Sequence, residues 1–405
     1  MDRVYESLKN NRLVFWEEVA RDGAQAKTIL SAKHRIKIAR AHANIFGNNG
    51  PDHLVFGVGF TSIGKEERET IREVADHIDN CYLGINCRSN KEEIKLSYDT
   101  IKNAKYGRIA FVLPASKRLC DLMMHKTPKQ AFELGTGLAK YALDIAQGIP
   151  IDIQLAGAFD SDPELIAETS SVLSELGVAT VGLGDTRGAI YPKAADKFMD
   201  ILLSNSDPAV NYSSHFHDDF GFSLVNNLSA IEKGIRLPST SWLGLAERNG
   251  LTRTELILFI LANENEQLLE RTGINGKQLF LSKPDLLQIN SIAQQVSKYT
   301  GVPIKVTDPI IGTGVNSIST GTPFIDTYSF QPFDPQKILN IPRTILITQL
   351  ASKRVIYNKA EEMGYQLTKS QAENILKKIK AIAYKKNRSI MPKTELKELF
   401  ERTAK

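Results

Sequence analysis

The feature that most restricts this chain is a strand–turn–helix phrase repeated eight times within roughly its first 265 residues. Apolar runs at 13–18, 53–60, 81–85, 108–113, 150–155, 178–184, 210–216 and 239–243 read as strands. Each precedes a segment with helical spacing, at 32–46, 65–78, 91–103, 128–147, 163–176, 192–203, 223–234 and 252–263. Ser31 stands where it can cap the first helix, and Ile36, Ile38, Ala39 and Ala43 make its buried stripe. Strands that alternate with helices pair in parallel, and eight short-looped units have the size and rhythm of a (β/α)8 TIM barrel, an α/β fold. A doubly wound open sheet is the competing arrangement. The first strand carries no glycine-rich dinucleotide fingerprint, so the barrel is the expected fold.

Past residue 265 the phrase stops. Residues 266–295 have a largely helical pattern, and 303–335 are rich in Gly, Pro, Ser and Thr without periodicity. Residues 343–405 read as a small helical module, with helices at 350–363, 369–385 and 394–403 and Gly364 closing the first. The expected organisation is a TIM-barrel catalytic domain over 1–270, a helical and loop-rich linker over 271–340, and a C-terminal helical subdomain over 341–405.

Composition excludes several classes. At 405 residues, 42% hydrophobic and 24% charged, the chain matches a soluble globular protein. Its net charge of +5 is mild and no arginine block occurs, so no nucleic-acid partner is expected. The late basic stretch at 377–393 reads as a solvated helix face. Cys81, Cys87 and Cys120 are too few and too irregular for a disulfide framework or zinc knuckle, and reduced thiols in the cytoplasm are the default. No apolar run approaches a membrane span, and residues 1–12 are too polar for a secretory signal.

Chemistry concentrates at the strand ends. His215 and His217 lie two apart at the end of the seventh strand, so their imidazoles share a face. Two unrelated histidines on a half-exposed strand would look the same in isolation. The chain, however, has only seven histidines and none after His217, and Arg21-Asp22-Gly23 occupies the matching place after strand one. Asp185 and Thr186 follow strand six, and Glu247 and Arg248 follow strand eight. Active sites of this fold lie on that rim. Each pair alone has a structural explanation, a turn cap or a surface ion pair, and their convergence is what points to a site. Nitrogen and oxygen donors of this kind suit a divalent metal.

With these pieces placed, the chain resembles the DRE-TIM metallolyases, in the branch of homocitrate, isopropylmalate and citramalate synthases. Arg21-Asp22-Gly23-Ala24-Gln25 is similar to the family's Arg-Asp-Gly-x-Gln, and His215-Phe216-His217-Asp218-Asp219-Phe220-Gly221 to its His-x-His-Asn-Asp-x-Gly. Residues 244–252 resemble a Gly-Glu-Arg-Asn-Gly-Ile-Thr segment, residues 328–335 a Tyr-x-Pro-Phe-Asp-Pro segment, and 351–400 the family's C-terminal helices. The resemblance implies Mg²⁺, Mn²⁺ or Zn²⁺ held by Asp22, His215 and His217, with a 2-oxo acid chelated to it. Arg21 would stabilise the oxyanion, Gln25 and Thr186 would contact the substrate, and acetyl-CoA or another acyl-CoA would be the co-substrate. A homodimer is expected on the same ground.

Departures from the family pattern are also legible. Family members carry a second-strand glutamate that orders the arginine, where this chain has Gly57. The Ser-x-Glu-Asp-x-x-Arg run after strand five is replaced by Gln154-Leu155-Ala156-Gly157-Ala158-Phe159-Asp160, closer in flavour to hydroxymethylglutaryl-CoA lyase. Ile318-Ser319-Thr320-Gly321-Thr322-Pro323 stands where a histidine-bearing loop is normal, so the family's general base is absent. Arg88 and Arg187 are the candidates to replace the carboxylate-binding arginine of the altered run after strand five. Tyr328 joins Arg21 and Glu247 as a candidate catalytic group, whereas Asp326 is better read as structural. The expected activity is a metal-dependent acyl-CoA:2-oxo acid condensation of the Claisen type, an acyltransferase. A hydroxymethylglutaryl-CoA-lyase-type cleavage and a non-catalytic, metabolite-binding relative are the alternatives.

Overall fold

A computed structural model describes residues 2–26, 28–263, 279–320 and 329–403. Eight parallel strands close into a barrel: β1 (Phe15–Glu17), β2 (Leu54–Phe60), β3 (Tyr82–Arg88), β4 (Gly107–Pro114), β5 (Ile151–Ala156), β6 (Thr180–Asp185), β7 (Tyr212–Phe216) and β8 (Leu237–Thr240). The ring is sealed where β1 pairs with β8, Trp16 against Ser239 and Glu17 against Thr240. The fold is the TIM barrel expected from the sequence.

Both seam strands differ from their expected limits, β8 the most of the eight. β1 is short as a ladder, yet backbone bonds continue at both ends, from Val14 N to Arg236 O and from Glu18 N to Thr240 O. β8 starts earlier than residue 239 and includes Pro238, which pairs with Ser214 although it has no N–H to give. It stops before residue 243 because a tight turn at Trp242–Gly244 takes over, with Leu243 at φ 59°. Helices at Arg3–Lys9, Gly50–His53, Lys117–Met124 and Pro335–Leu339 were not expected. Arg3–Lys9 is capped by Asp2, and Lys117–Met124 is capped by Ser116 and ends on left-handed His125.

Inside the barrel the lower layers are solid. Val4 and Leu8 of the first helix pack on Val14, Trp16, Val55, Tyr82, Ala110 and Leu237, which plugs the N-terminal mouth. Beside them Arg108, fully buried, donates from Nε and NH2 to Asp152 and from NH1 to Asp2 at 2.6 Å. A filled lower barrel leaves only the C-terminal rim for chemistry.

By its contacts the chain divides into two compact units, 1–303 and 304–405. The first ends with the helix Ile289–Thr300; of the stretch 266–295 expected to be largely helical, residues 266–278 lie outside the described residues. In the second, Lys353–Glu362, Lys369–Lys386 and Lys393–Thr403 pack around Val355, Ile356, Ile375, Ile379, Leu396 and Phe400. Thr368 and Gln371 form a reciprocal cap at the start of the middle helix. Lys377, Lys378, Lys380, Lys385 and Lys386 point to solvent, as the pattern of that stretch suggested. No helix among the described residues is long and apolar enough to cross a membrane.

Candidate metal centre and active site

The turn after β1 folds back on its own strand. Arg21 N and Gly23 N both donate to the Glu18 carbonyl at 3.0 Å, and Gln25 N donates to that of Asp22 at 2.9 Å. This tight path brings Glu18, Arg21 and Asp22 together at the barrel mouth. Arg21 Nε donates to Glu18 Oε2 at 2.8 Å, its NH2 pairs with Glu18 Oε1, and its NH1 lies 3.0 Å from Asp22 Oδ2. All three side chains are nearly buried.

Asp22 is the centre of the cluster. Its Oδ1 accepts from Glu247 N at 2.9 Å and from Gln25 Nε2 at 3.2 Å. Its Oδ2 lies 3.5 Å from His215 Nε2. The His215 and His217 rings are 5.1 Å apart and nearly perpendicular. Donor atoms of Asp22, His215 and His217 all lie within 4.8 Å of one another.

The electrostatics suit cation binding. Burial opposes the Asp22 charge, but Arg21 and the two imidazoles outweigh it and hold the carboxyl far below its usual range. Burial and the neighbouring His215 push His217 down to about 4, so it is neutral at physiological pH, the form that ligates. His217 Nδ1 is buried without a hydrogen-bond partner. A neutral imidazole with an orphaned ring nitrogen, grouped with an ionised carboxylate and a second imidazole, fits a divalent ion, and these three residues are the ones that could hold it.

Around the cluster the loops are tied to one another. Arg248 donates from Nε and NH2 to the two oxygens of Asp219, each at 3.0 Å, and from NH2 to the Thr186 carbonyl at 2.8 Å. Its NH1 lies 3.0 Å from Glu247 Oε2. One arginine thus joins the loops after β6, β7 and β8. Gly188, at φ +61°, permits the approach, since a Cβ there would fall 2.2 Å from Asp219 Oδ2. Asp185 has the structural role that its alternative reading allowed, accepting from Ile190 N at 3.2 Å.

The remaining expected residues are distributed as follows. Thr186 Oγ1 accepts from Gly157 N at 2.8 Å, which leaves its hydroxyl proton free to donate. Gln25, expected at the substrate, has Asp22 as its partner. Arg88 is exposed at the end of β3. Arg187 is 65% exposed and pairs with Asp160 at 3.2 Å. Arg187 and Thr186 line a cavity of about 1010 Å³ whose other walls include Lys117, Arg118, His125 and Lys126. Tyr328 and Asp326 lie outside the described residues. Glu18 was missed by sequence reasoning, although its position three residues before Arg21 was the available signal.

The HMGL-like family pattern matches residues 12–295. Among curated proteins, the 2-isopropylmalate synthase of Bradyrhizobium diazoefficiens is 24% identical over 384 residues, covering 93% of this chain and 70% of that enzyme. The 2-isopropylmalate synthase of Shewanella baltica is 26% identical over 364 residues, covering 88% of this chain and 66% of that enzyme. The chain therefore spans about two thirds of the length of these relatives. Among solved structures, the HMG-CoA lyase of Brucella melitensis aligns over 72% of this chain and 99% of its own, with a TM-score of 0.56 at 19% identity. The hydroxymethylglutaryl-CoA lyase of Pseudomonas aeruginosa aligns over 72% and 94%, with a TM-score of 0.57 at 18% identity. The chain belongs to the HMGL-like family, the DRE-TIM barrels.

Proposed function

We propose that this protein condenses an acyl-CoA, acetyl-CoA in the simplest case, with a 2-oxo acid. The observation that carries the reading is Arg21 fixed beside the Asp22, His215 and His217 donor set. A divalent ion bound by those three residues would supply Lewis acidity toward the ketone oxygen. Arg21, kept protonated by Glu18 and Asp22, stabilises negative charge developing on that oxygen or on the thioester enolate. The free Thr186 hydroxyl donates to the substrate carboxylate, and Arg88 or Arg187 neutralises it. Gln25 and the Glu247 backbone keep Asp22 in place. The cationic cavity beside Thr186 has the charge to take the phosphates of the acyl-CoA. Removal of the methyl proton needs a base, for which Glu247 and Tyr328 are the candidates.

The reaction balances as acyl-CoA, 2-oxo acid and water giving a 2-hydroxy-2-carboxyalkyl acid and free CoA. The acidic product of thioester hydrolysis makes the direction forward. Extension of the sequence similarity through the C-terminal helices, into synthases rather than lyases, supports condensation over cleavage.

The test is thiol release from acetyl-CoA with Mg²⁺ or Mn²⁺ and a panel of short, branched and dicarboxylic 2-oxo acids. Release that requires both metal and acceptor, and that falls about 10²–10³-fold in Arg21→Ala, is the expected result. Cleavage of a hydroxyacyl-CoA without any condensation would replace this reading by a lyase. No turnover with any member of the panel would sink it in favour of a binding protein.

A further inference from the structure

A side chain at Gly57 cannot coexist with Glu18 as it is placed. A Cβ on Gly57 would fall 2.7 Å from Glu18 Oε2 and 3.0 Å from the Glu17 carbonyl oxygen. The Glu18 carboxylate therefore fills, from the first strand, the volume that a second-strand side chain would otherwise enter. From that volume it makes two contacts. It takes the Nε and NH2 edge of Arg21, leaving only NH1 toward Asp22. Its Oε1 also lies 3.9 Å from His215 Nδ1, the ring nitrogen turned away from Asp22.

We propose that Glu18 is the positioning residue of this site, housed by the gap at Gly57 and orienting both Arg21 and His215. A bidentate carboxylate fixes the guanidinium plane, which a single contact would leave free to turn. Without Glu18, the guanidinium swings its paired edge onto Asp22 and draws that ligand away from the imidazoles. At 3.9 Å from Nδ1 the carboxylate is too far to accept a hydrogen bond and acts on the His215 ring through its field, from the side opposite Asp22. The role of Arg21 in turnover rests on the condensing reading, whereas the orientation of the donor set does not.

The experiment compares Glu18→Gln, Glu18→Ala, Gly57→Ala and the Glu18→Ala/Gly57→Ala pair with the unaltered protein. Mn²⁺ affinity is read by electron paramagnetic resonance titration, kcat and KM by thiol release, and folding by circular dichroism. Glu18→Gln and Glu18→Ala should weaken Mn²⁺ binding about 10–100-fold and lower kcat more than they raise KM. Gly57→Ala should weaken Mn²⁺ similarly when Glu18 is present and have little further effect once it is gone. The isosteric glutamine keeps the comparison valid if the alanine variant does not fold. Unchanged Mn²⁺ affinity in the folded Glu18→Gln variant would overturn the proposal, as would equal losses from Gly57→Ala in both backgrounds. If the unaltered protein releases no thiol, the condensing reading fails, and the Mn²⁺ series still decides the role of Glu18.

Discussion

Arg108 and Asp152 face each other across the fourth and fifth strands inside the sealed lower barrel, with Nε to Oδ2 at 3.0 Å and NH2 to Oδ1 at 2.7 Å. Neither side chain touches solvent. The pair is a fully desolvated, two-pronged contact beneath the candidate site, with the Tyr82 ring 5.6 Å from the guanidinium carbon.

Breaking that pair from one side should be costly. Arg108→Ala leaves the Asp152 carboxylate buried with the Thr180 hydroxyl as its remaining side-chain donor, at 2.7 Å. A loss of about 3–5 kcal/mol in urea unfolding is expected. Replacing both partners by apolar residues of similar volume, as in Arg108→Met/Asp152→Leu, should cost less than the single change. A double variant weaker than Arg108→Ala would contradict this account.

The donor set can be dismantled without dismantling the barrel. His217→Ala removes a ring whose Nδ1 has no partner to lose, so the fold should persist while Mn²⁺ or Zn²⁺ content falls to background. Asp22→Asn keeps an amide oxygen for the Glu247 N–H but gives up the charge. Native-like circular dichroism with metal absent from both variants is the outcome, read by elemental analysis. Metal retained at the unaltered level in either would exclude the assigned ligands.

A second buried carboxyl gives a pH signature. Glu17 Oε1 accepts from Val19 N at 3.1 Å and Trp242 N at 3.0 Å, and Oε2 lies 2.5 Å from the Thr254 hydroxyl. Burial pushes its pKa up to about 8 despite those bonds. The folded state then holds a proton that the unfolded chain gives up above about 4.5. The stability this proton confers is complete below that value and is lost as pH rises toward 8. His42, pushed down to about 3 by burial, works on the acid side, where the unfolded chain gains a proton from about 6.5 downward that the folded ring refuses. Between about 4.5 and 6.5 the two effects oppose each other, so melting temperatures should decline from about pH 6.5 to 8 in the unaltered protein and decline less in Glu17→Gln. Parallel curves would mean that Glu17 is ionised in the fold.

The barrel was legible because seven of its strands are apolar runs bounded by polar turns, and periodicity reports burial directly. β8 was read late because Pro238 looks like a strand breaker, and only its pairing with Ser214 shows that it is tolerated. The helix Lys117–Met124 was missed because it leaves Leu122 and Met123 exposed, so its apolar residues mark no buried stripe. At the site, Asp22, His215 and His217 could be matched one residue at a time, and the structure brings them together. Glu18 could not be found that way. Its meaning depends on a missing side chain on the neighbouring strand, a relationship of volume that becomes visible only when Glu18 Oε2 and Gly57 are measured against each other.

The plug at the base and the seam between β1 and β8 have a joint consequence for how the donor set comes into being. Asp22 follows the first strand and the two histidines close the seventh, so nothing local in the chain can assemble them. They stand together in a ring that is sealed where the last strand pairs with the first. A cation gripped by this trio would act as a latch on the finished ring, rewarding the closed state and escaping whenever the seam opens.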